Sequence, residues 1–332
     1  MFSAVLGLFS QDLAVDLGTS RTQVHLRNTG VICDQPTVVS VATGRKGRRE
    51  VIAIGDAAQA MLGRAPADIE VIRPILDGRI QDFEVAEAYL LHLVRQIHGR
   101  NSLMRPRMVV TVPHAASDME IRAIRDNCAS AGARDVNLLM RPIAAGLGAG
   151  LAIDAPEGYL VVDVGGGATE ISVLALSGVV SCTSIPGGVG IDEAIIGWMK
   201  REHALLIGQT TAEKIKIDAC DTVVKGRCLR TGVPRGVPVR RADVLRAFDA
   251  ELDRIGAAVA AALDQAPPEL ASDIVDTGVI LTGGGSQLIG LHDAVGRATG
   301  LPIIPADAPQ MAVIHGAGRV LEECELRPAL AS

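Results

Sequence analysis

Three glycine-rich turns contain the residues of this sequence whose types and spacing could do chemistry. They are Asp16-Leu-Gly-Thr-Ser-Arg-Thr22, Asp163-Val-Gly-Gly-Gly-Ala-Thr169 and Thr282-Gly-Gly-Gly-Ser286, and each follows an apolar run. Glycine lets the backbone approach a phosphate closely, and the exposed N–H groups of such turns form an anion-binding concavity. A single turn of this kind has an alternative explanation, in which glycine serves backbone conformation alone. Three of them together favour a clamp for one polyphosphate.

Two carboxylates accompany these turns, because Asp16 and Asp163 stand at the start of the first and the second. Mg²⁺ is commonly held by one or two carboxylates, by waters and by the phosphates of its substrate. We therefore predict a nucleotide bound as its magnesium complex. Neither the Walker pattern nor a Rossmann fingerprint occurs in the sequence. A further glycine series, Gly146, Gly148 and Gly150, is interpreted as close helix packing.

The elements that must position the turns alternate between strands and helices. The runs from Leu13 and from Tyr159 each predict a buried strand, a glycine turn and a second strand, which indicates two related halves. Asp82 is predicted to cap a helix. Further predictions are strands over 108–112 and 274–281, irregular strand over 223–239, and helices over 116–132, 195–206, 211–217 and 241–265. This alternation indicates α/β layers.

Composition and charge exclude several classes of protein. The 332 residues are 48% hydrophobic and carry a formal charge of −6, so a basic nucleic-acid footprint is not expected. The six cysteines show no Cys-x-x-Cys pair and no zinc spacing, which predicts thiols in a reducing cytosol. No apolar run approaches the ~20 residues of a spanning helix, and the N-terminus lacks signal-peptide features. We expect a cytoplasmic protein.

The three turns resemble the phosphate and adenosine motifs of the actin-like superfamily, which includes actin, the seventy-kilodalton heat-shock chaperones and sugar kinases. Across nearly the whole chain the sequence is most similar to the MreB/Mbl branch of bacterial rod-shape-determining filament proteins. This resemblance rests on Ile72-Arg-Pro-Ile-Leu-Asp-Gly-Arg-Ile-Gln-Asp-Phe83, Ile191-Asp-Glu-Ala-Ile-Ile196, Leu205-Leu-Ile-Gly208 and Thr211-Ala-Glu-Lys-Ile-Lys216. The chain is too short for the additional domain of the chaperones, and a sugar kinase would normally be longer.

The resemblance implies an α/β, actin-like two-lobed fold, in which duplicated ribonuclease-H-like domains hold a nucleotide cleft between them. ATP and Mg²⁺ are the implied cofactors. The implied subdomains are IA (1–32, 66–150 and 312–332), IB (33–65), IIA (151–181 and 246–311) and IIB (182–245).

The same resemblance implies roles for individual residues. Asp16 and Asp163 would organise Mg²⁺, mainly through its water shell. Phosphate would be contacted by Thr19, Ser20 and Arg21, and on the opposing face by Gly165, Gly166, Gly167 and Ala168. The ribose and base would meet Glu213, Lys214, Ile215 and Lys216, and the adenosine side would meet Gly283, Gly284, Gly285, Ser286 and Gln287.

Two apolar segments are predicted to contact the inner face of the cell membrane. Phe2, Leu6 and Phe9 could lie in the bilayer interface, and a frayed or packed terminus is the alternative. In the family an apolar pair before the Pro-Arg strand can dip into lipid, and Leu103-Met104 occupies that place among basic residues. Simple loop packing is the alternative there. The expected location is therefore cytoplasmic and peripheral at the membrane.

Arg141 departs from the family pattern, because relatives carry at this place a glutamate that orients the attacking water. A carboxylate can accept a hydrogen bond from water, whereas a guanidinium has donors only. Our hypothesis is tight ATP retention with slow or absent hydrolysis, in which Arg141 pairs with the γ-phosphate and Arg21 adds a second positive charge nearby. An active enzyme with another water-positioning group stays open, since arginine can also stabilise transition-state charge. The Pro186–Gly190 segment departs as well, because relatives carry acidic residues there.

The predicted function follows from the family resemblance. It is a bacterial actin-like cytoskeletal protein that binds ATP, forms membrane-associated filaments and organises cell-wall synthesis or cell shape. Expected partners are further copies of the chain, the membrane, and cell-wall synthesis or shape-determining membrane proteins, without nucleic acid. The alternative is a non-polymerising, hydrolysis-deficient ATP-binding regulatory paralogue. A chaperone or small-molecule kinase is disfavoured, since nothing in the sequence supplies an acceptor domain.

Overall fold

A computed structural model gives the structure of the chain and describes residues 12–44, 49–76, 79–98, 105–323, 326 and 330–331. The chain alternates strands and helices and divides into two compact units. Unit 1 comprises Met1–Pro156, Leu174–Val179 and Gln310–Ser332, and unit 2 comprises Glu157–Val173 and Val180–Pro309. The boundaries of four subdomains, taken from the family resemblance, stay a prediction.

The strands are numbered in chain order over the described residues. They are β1 (Leu13–Leu17), β2 (Arg21–Leu26), β3 (Gly30–Pro36), β4 (Val39–Thr43), β5 (Arg49–Ile54), β6 (Ile69–Ile72), β7 (Ile75–Leu76), β8 (Arg79–Ile80), β9 (Arg107–Val112), β10 (Asp135–Met140), β11 (Tyr159–Val164), β12 (Ala168–Ala175), β13 (Gly178–Pro186), β14 (Leu205–Leu206), β15 (Thr222–Cys228), β16 (Pro234–Val239), β17 (Val279–Thr282), β18 (Ile303–Pro305) and β19 (Leu330–Ala331).

The helices are numbered in the same way. They are α1 (Asp56–Gln59), α2 (Phe83–His98), α3 (Asp118–Ser130), α4 (Arg141–Gly148), α5 (Gly188–His203), α6 (Gln209–Asp218), α7 (Arg241–Asp264), α8 (Pro268–Thr277), α9 (Leu291–Thr299) and α10 (Ala312–Glu322). Two short 3₁₀ turns occupy Gly284–Gln287 and Pro309–Met311.

Unit 1 is built on a six-stranded mixed sheet with the order β19-β10-β9-β1-β2-β3. Strand β1 is buried along its whole length, which fits a strand that is apolar on both faces. β1 pairs in parallel with β9, and β9 in parallel with β10, while β2 and β3 continue the sheet as antiparallel strands. Two smaller sheets, β5-β4-β6 and β7-β8, complete the unit. The three parallel strands therefore end at one edge of the sheet.

Local sequence signals explain where the helices next to this sheet begin. Asp82 Oδ1 accepts a hydrogen bond from the backbone N–H of Val85 at 3.1 Å, so the predicted cap of α2 is confirmed. Before α3, Ser117 and Glu120 form a reciprocal capping box. Helix α4 has Pro142 in its first turn, where the missing N–H of proline costs no helix hydrogen bond.

Close helix packing is confirmed at Gly148 of α4 and is wrong for Gly150. A Cβ atom on Gly148 would lie 1.7 Å from the carbonyl oxygen of Ala312 on α10, so the two helix backbones touch. Gly146 packs instead against the side chains of Leu174 and Ile153. Gly150 lies after the helix with a φ of +83° and no atom near its Cβ position. Glycine at this position therefore permits the positive φ of the backbone and does not serve helix packing.

Unit 2 contains most of a five-stranded sheet with the order β13-β12-β11-β17-β18. β11 pairs in parallel with β17, and β17 in parallel with β18. A three-stranded antiparallel sheet, β14-β15-β16, belongs to the same unit. Apolar residues of β11, β12 and helices α5, α7 and α9 form its buried core. The segment over 223–239, predicted as irregular strand, is the regular hairpin β15–β16.

Two sequence predictions in unit 2 need correction. The strand predicted over 274–281 is wrong in its first half, because 274–277 belong to α8, which begins at Pro268. Gly278, with a φ of +71°, ends that helix before β17 starts at Val279. Helix α5 begins at Gly188, seven residues before the predicted start at Ile195. Its first turn is rich in glycine, a poor helix former, so propensity gave no signal there.

Candidate functional site

In unit 1 the strand register brings Asp16, Thr111 and Arg141 together. Val15 of β1 pairs with Val110 of β9, and Leu139 of β10 pairs with Thr111. Asp16 and Thr111 are therefore neighbours near the carboxyl ends of their strands, and Arg141 follows directly after β10. The ends of parallel strands are the usual place for ligand sites in α/β sheets.

The carboxylate of Asp16 has two close partners at this edge. Its Oδ1 accepts a hydrogen bond from the Thr111 hydroxyl at 2.5 Å and from Nη2 of Arg141 at 2.7 Å. The Asp16 and Arg141 side chains are 9% and 14% exposed. Because the pair is largely shielded from water, the guanidinium neutralises the carboxylate effectively. Arg141 thus contacts the same carboxylate that the family resemblance assigns to magnesium.

The turn between β1 and β2 is tight and is fixed by Thr37. A Cβ atom on Gly18 would lie 2.5 Å from the carbonyl oxygen of Arg21, so only glycine fits this position. The Thr37 hydroxyl donates to the Gly18 carbonyl at 2.7 Å, and its backbone N–H donates to the Ser20 carbonyl at 3.1 Å. Thr19 is buried at the same turn. The turn therefore has a defined backbone conformation, as a phosphate-binding loop requires.

Arg21 lies beside this turn and forms an ion pair within its own sheet. Its Nε is 2.6 Å from Oδ1 of Asp34, and its Nη2 donates to the Asp34 carbonyl oxygen at 2.7 Å. Asp34 belongs to the neighbouring strand β3. With a side chain 48% exposed, Arg21 is far more solvated than Arg141. Its predicted contact with phosphate stays a prediction.

In unit 2 the parallel strands β11 and β17 bring Asp163 next to the third glycine turn. Asp163 and Thr282 are paired in register, and the Thr282 hydroxyl donates to Oδ1 of Asp163 at 3.2 Å. Gly283 follows with a φ of +79°, and a Cβ atom there would lie 2.5 Å from the Val164 carbonyl oxygen. Two of the three predicted turns are therefore in direct contact.

The 3₁₀ turn Gly284–Gln287 packs on the same strand. A Cβ atom on Gly285 would lie 2.5 Å from Cγ1 of Val164, and the Ser286 hydroxyl donates to the Gly283 carbonyl at 2.7 Å. Ser286 is buried. Glycine at 283 and 285 thus permits close approach of this segment to β11, independently of any ligand.

The turn after β11 has the same construction as the turn after β1. A Cβ atom on Gly165 would lie 2.8 Å from the carbonyl oxygen of Ala168. The corresponding distance in the first turn, from Gly18 to the carbonyl oxygen of Arg21, is 2.5 Å. The start of α5 packs against it, because the N–H groups of Gly187, Gly188 and Val189 donate to the carbonyls of residues 167, 165 and 166. The Pro186–Gly190 segment, which departs from the family pattern, therefore supports this turn.

Helix α6 carries the residues that were assigned to the ribose and base. Nζ of Lys216 is 2.8 Å from Oδ1 of Asp192 and donates to the Gly188 carbonyl at 3.0 Å. Lys216 joins α6 to the segment that supports the Gly165–Gly167 turn. Glu213 is half-buried, Lys214 is exposed and Ile215 is buried. Their contacts with a nucleotide stay predictions.

Asp16 and Asp163 are the two carboxylates that the family resemblance assigns to a magnesium ion. Asp163 accepts a hydrogen bond from the Thr282 hydroxyl, and its role at the water shell of Mg²⁺ stays a prediction. Asp16 does not fit this role, because Arg141 already supplies a positive charge to its Oδ1. Within the described part of the chain, no three His, Cys, Asp or Glu side chains come together as metal ligands.

Sequence reasoning missed Thr111, Thr37 and Asp192. Thr111 is a polar residue inside the apolar strand β9, and that interruption was a usable signal. Asp192 is a buried carboxylate in α5, and a buried charge is unfavourable without a partner of opposite charge. Lys216 is that partner. Thr37 gave no signal, because it follows Pro36 in a segment between strands.

The predicted membrane residues Phe2, Leu6, Phe9, Leu103 and Met104 lie outside the described residues. Among the helices that the structure describes, none combines the length and apolar character needed to cross a bilayer.

Solved structures of actin-like proteins share this arrangement of strands, turns and helices. MreB5 of Spiroplasma citri bound to AMPPNP has a TM-score of 0.88 at 26% identity, over 96% of this chain and 98% of that one. A MamK double helical filament has a TM-score of 0.78 over 95% and 99% of the two chains, and its 22% identity supports the fold alone. The fold is of the actin-like α/β class, as predicted.

Sequence comparison then identifies the family within this class. The family model of the MreB/Mbl protein matches residues 10–328. The cell shape-determining protein MreB of Escherichia coli K12 is 42% identical over 339 residues, which cover 98% of this chain and 97% of that protein. The cell shape-determining protein Mbl of Bacillus subtilis 168 is 35% identical, over 97% and 98%. The chain belongs to the MreB/Mbl family.

Proposed function

We propose that this chain binds ATP at its glycine turns, assembles with further copies of itself into membrane-associated filaments, and organises cell-wall synthesis or cell shape. The observation that carries the proposal is the repeated Asp-x-Gly turn, in which Gly18 and Gly165 lie close to the carbonyls of Arg21 and Ala168 in the same way. Turns of this kind present backbone N–H groups to an anion. The related MreB5 structures hold AMPPNP and ADP, which supports nucleotide as the ligand.

The residues of each turn have distinct parts in this proposal. Thr19, Ser20 and Arg21 contact phosphate, as do Gly165, Gly166, Gly167 and Ala168. The adenosine side meets Glu213, Lys214, Ile215 and Lys216, together with Gly283, Gly284, Gly285, Ser286 and Gln287. Mg²⁺, when bound, would neutralise phosphate charge, with Asp163 as the carboxylate proposed to hold its water shell.

Asp163→Asn tests the proposed nucleotide site. A ligand present at 100 times its Kd stabilises the folded chain by about 2.7 kcal/mol. We expect ATP to raise the Tm of the natural chain, and Mg²⁺ to add a small further rise that Asp163→Asn lacks. Asp249→Asn is the matched control, because Asp249 is an exposed aspartate of α7 in the same unit. Equal ATP stabilisation of all three chains would contradict the proposed role of Asp163.

Slow or absent hydrolysis is the second part of the proposal, and the contact between Arg141 and Asp16 supports it. Arg141 can only donate hydrogen bonds, so it cannot accept one from an attacking water. We expect the natural chain to bind ATP with negligible phosphate release and Arg141→Glu to gain measurable release. Brisk release by the natural chain would show that another group positions the water.

Filament formation is tested by sedimentation with ATP, ADP and no nucleotide. Self-assembly is supported by the membership of the MreB/Mbl family and predicts ATP-dependent pelleting. Absence of pelleting under every salt, nucleotide and lipid condition would favour the non-polymerising regulatory paralogue, for which the altered residue at 141 is the specific observation.

Membrane association is tested separately by flotation with anionic liposomes. We expect serine substitutions at Phe2, Leu6 and Phe9 to reduce flotation, and serine substitutions at Leu103 and Met104 to do so independently. Flotation that neither set changes would rule out both segments as the membrane contact. Proteins of cell-wall synthesis remain the proposed partners of the assembled form.

A further inference from the structure

The ion pair of Arg141 and Asp16 places a positive charge where a nucleotide-binding turn carries its carboxylate. Nη2 of Arg141 lies 2.7 Å from Oδ1 of Asp16, and the Thr111 hydroxyl donates to the same oxygen at 2.5 Å. The two charged side chains are 14% and 9% exposed. A charge-assisted hydrogen bond of this length and burial is among the stronger polar contacts in proteins.

The position of Arg141 on its helix makes the pair more informative. Arg141 is the first residue of α4, and a cation is disfavoured at the positive end of a helix dipole. Asp16 compensates for this. A glutamate at the same position would suit the dipole but would place two carboxylates side by side. Two adjacent carboxylates cannot both ionise readily unless a cation joins them.

We propose that Arg141 takes over, at Asp16, the charge-neutralising role of a divalent cation, so that nucleotide binding by this chain is nearly independent of Mg²⁺. This inference rests on the proposed function, since it presupposes that the chain binds nucleotide. The net charge of the side chains at positions 16 and 141 is zero in this chain. With glutamate at position 141 it would be −1 when one of the two carboxylates is protonated and −2 when both are ionised. An approaching phosphate therefore meets a turn that is already neutral.

Titration of a fluorescent ATP analogue, with excess Mg²⁺ or with EDTA, tests the proposal. We expect the Kd of the natural chain to differ between these buffers by less than about 3-fold. We expect Arg141→Glu to bind at least about 10-fold more weakly in EDTA than in Mg²⁺. One nearby charge typically shifts a pKa by about 1–3 units, which is a roughly 10- to 1,000-fold change in the binding of a charged ligand, the proton. Arg49→Gln removes a pair of similar length, Arg49 with Asp82 at 2.6 Å, and should keep the ratio of the natural chain.

A second measurement needs no nucleotide. Mg²⁺ alone should leave the Tm of the natural chain unchanged and should raise the Tm of Arg141→Glu. Should Arg141→Glu fail to fold, Arg141→Gln leaves Asp16 without the guanidinium and should show a smaller rise of Tm with Mg²⁺.

The outcomes separate this inference from the proposed function. Tight binding by the natural chain in Mg²⁺ that is lost by 10-fold or more in EDTA would overturn the inference and leave the nucleotide site intact. Equal dependence on Mg²⁺ in the natural chain and in both Arg141 variants would also overturn it. Absence of binding in both buffers would overturn the proposed function together with the inference.

Discussion

Replacing Gly148 with alanine should destabilise unit 1 by an amount that the structure allows to be worked out. The added Cβ would lie 1.7 Å from the carbonyl oxygen of Ala312 and 2.5 Å from its carbonyl carbon. An ordinary contact needs about 3.5 Å, so α4 and α10 would have to separate by roughly 1.8 Å. Both contacting groups are backbone, and no rotamer change can relieve the overlap.

The expected magnitude combines two opposing effects. Overpacking of a core usually costs about 1–3 kcal/mol, and this backbone contact belongs at the upper end. Alanine in a helix gains up to about 1 kcal/mol over glycine. The net loss should be about 2 kcal/mol, which corresponds to a fall in Tm of roughly 4–8 °C for a unit of this size.

Gly197→Ala is the matched control for this measurement. Gly197 is also a helical glycine, in α5, but its nearest neighbour is Nη1 at the flexible end of Arg201, 3.1 Å from the Cβ position. Alanine there should be neutral or stabilising by up to about 1 kcal/mol. Thermal unfolding followed by circular dichroism compares the two variants. A Gly148→Ala protein as stable as Gly197→Ala would refute the reasoning.

The same substitution bears on the candidate site. Arg141 and Gly148 are the first and last residues of α4. A separation of α4 from α10 would therefore displace Arg141 from Asp16. In addition to its lower stability, Gly148→Ala should show an increased dependence of nucleotide binding on Mg²⁺. Unchanged dependence would mean that the helix pivots about its first turn.

Three further predictions concern helix ends and ion pairs. Ser117→Ala should lose about 1 kcal/mol of stability, measured by urea unfolding, because it removes the capping box of α3. Hydrogen bonds donated by the backbone N–H and the hydroxyl of Ser117, together with the positive charge of nearby Arg79, hold the pKa of Glu120 below its ordinary value of 4.5. The natural chain should therefore have a larger free energy of unfolding than Glu120→Gln at pH values above 4.5. This difference should disappear as the pH falls through the lowered pKa. Asp192→Asn should cost about 3 kcal/mol, because Lys216 loses its buried partner; the fluorescence of Trp198 in α5 reports this unfolding.

The glycine turns could be predicted from the sequence because their construction is local. Gly18 and Gly165 close onto carbonyls only three residues further along the chain. The cap at Asp82 is equally short-range, acting on the N–H three residues later. The strand predicted over 274–277 was wrong for a related reason. The apolar residues there are a local signal for a strand, but Pro268 begins a helix that continues through them.

The partners of Asp16 could not be predicted, because strand register decides them. Thr111 is 95 residues away in sequence and Arg141 is 125 residues away. The presence of Arg141 in place of the family glutamate was visible by resemblance. It indicated a lost acceptor for water and a cation for the γ-phosphate, but no contact with Asp16. Parallel pairing of β1, β9 and β10 shows in addition which carboxylate the arginine contacts.

This contact changes what the unusual arginines are expected to do to a nucleotide. Arg141 is paired with Asp16 and Arg21 with Asp34, so an approaching phosphate meets two neutralised pairs in place of two isolated cations. Affinity must then come largely from backbone N–H groups of the turn. Asp16→Asn would remove one carboxylate that Arg141 contacts and would make the net charge near the phosphate more positive.

We therefore expect Asp16→Asn to bind the fluorescent ATP analogue more tightly in EDTA than the natural chain does, by about 10-fold or more. A metal-organising Asp16 would have the opposite effect, because its loss would weaken binding in Mg²⁺ and leave binding in EDTA unchanged. Asp34→Asn is the control, since the half-exposed Arg21 is screened by water and should change affinity little. Weaker binding of Asp16→Asn in Mg²⁺ alone would show that the carboxylate acts through the metal, as in the family pattern.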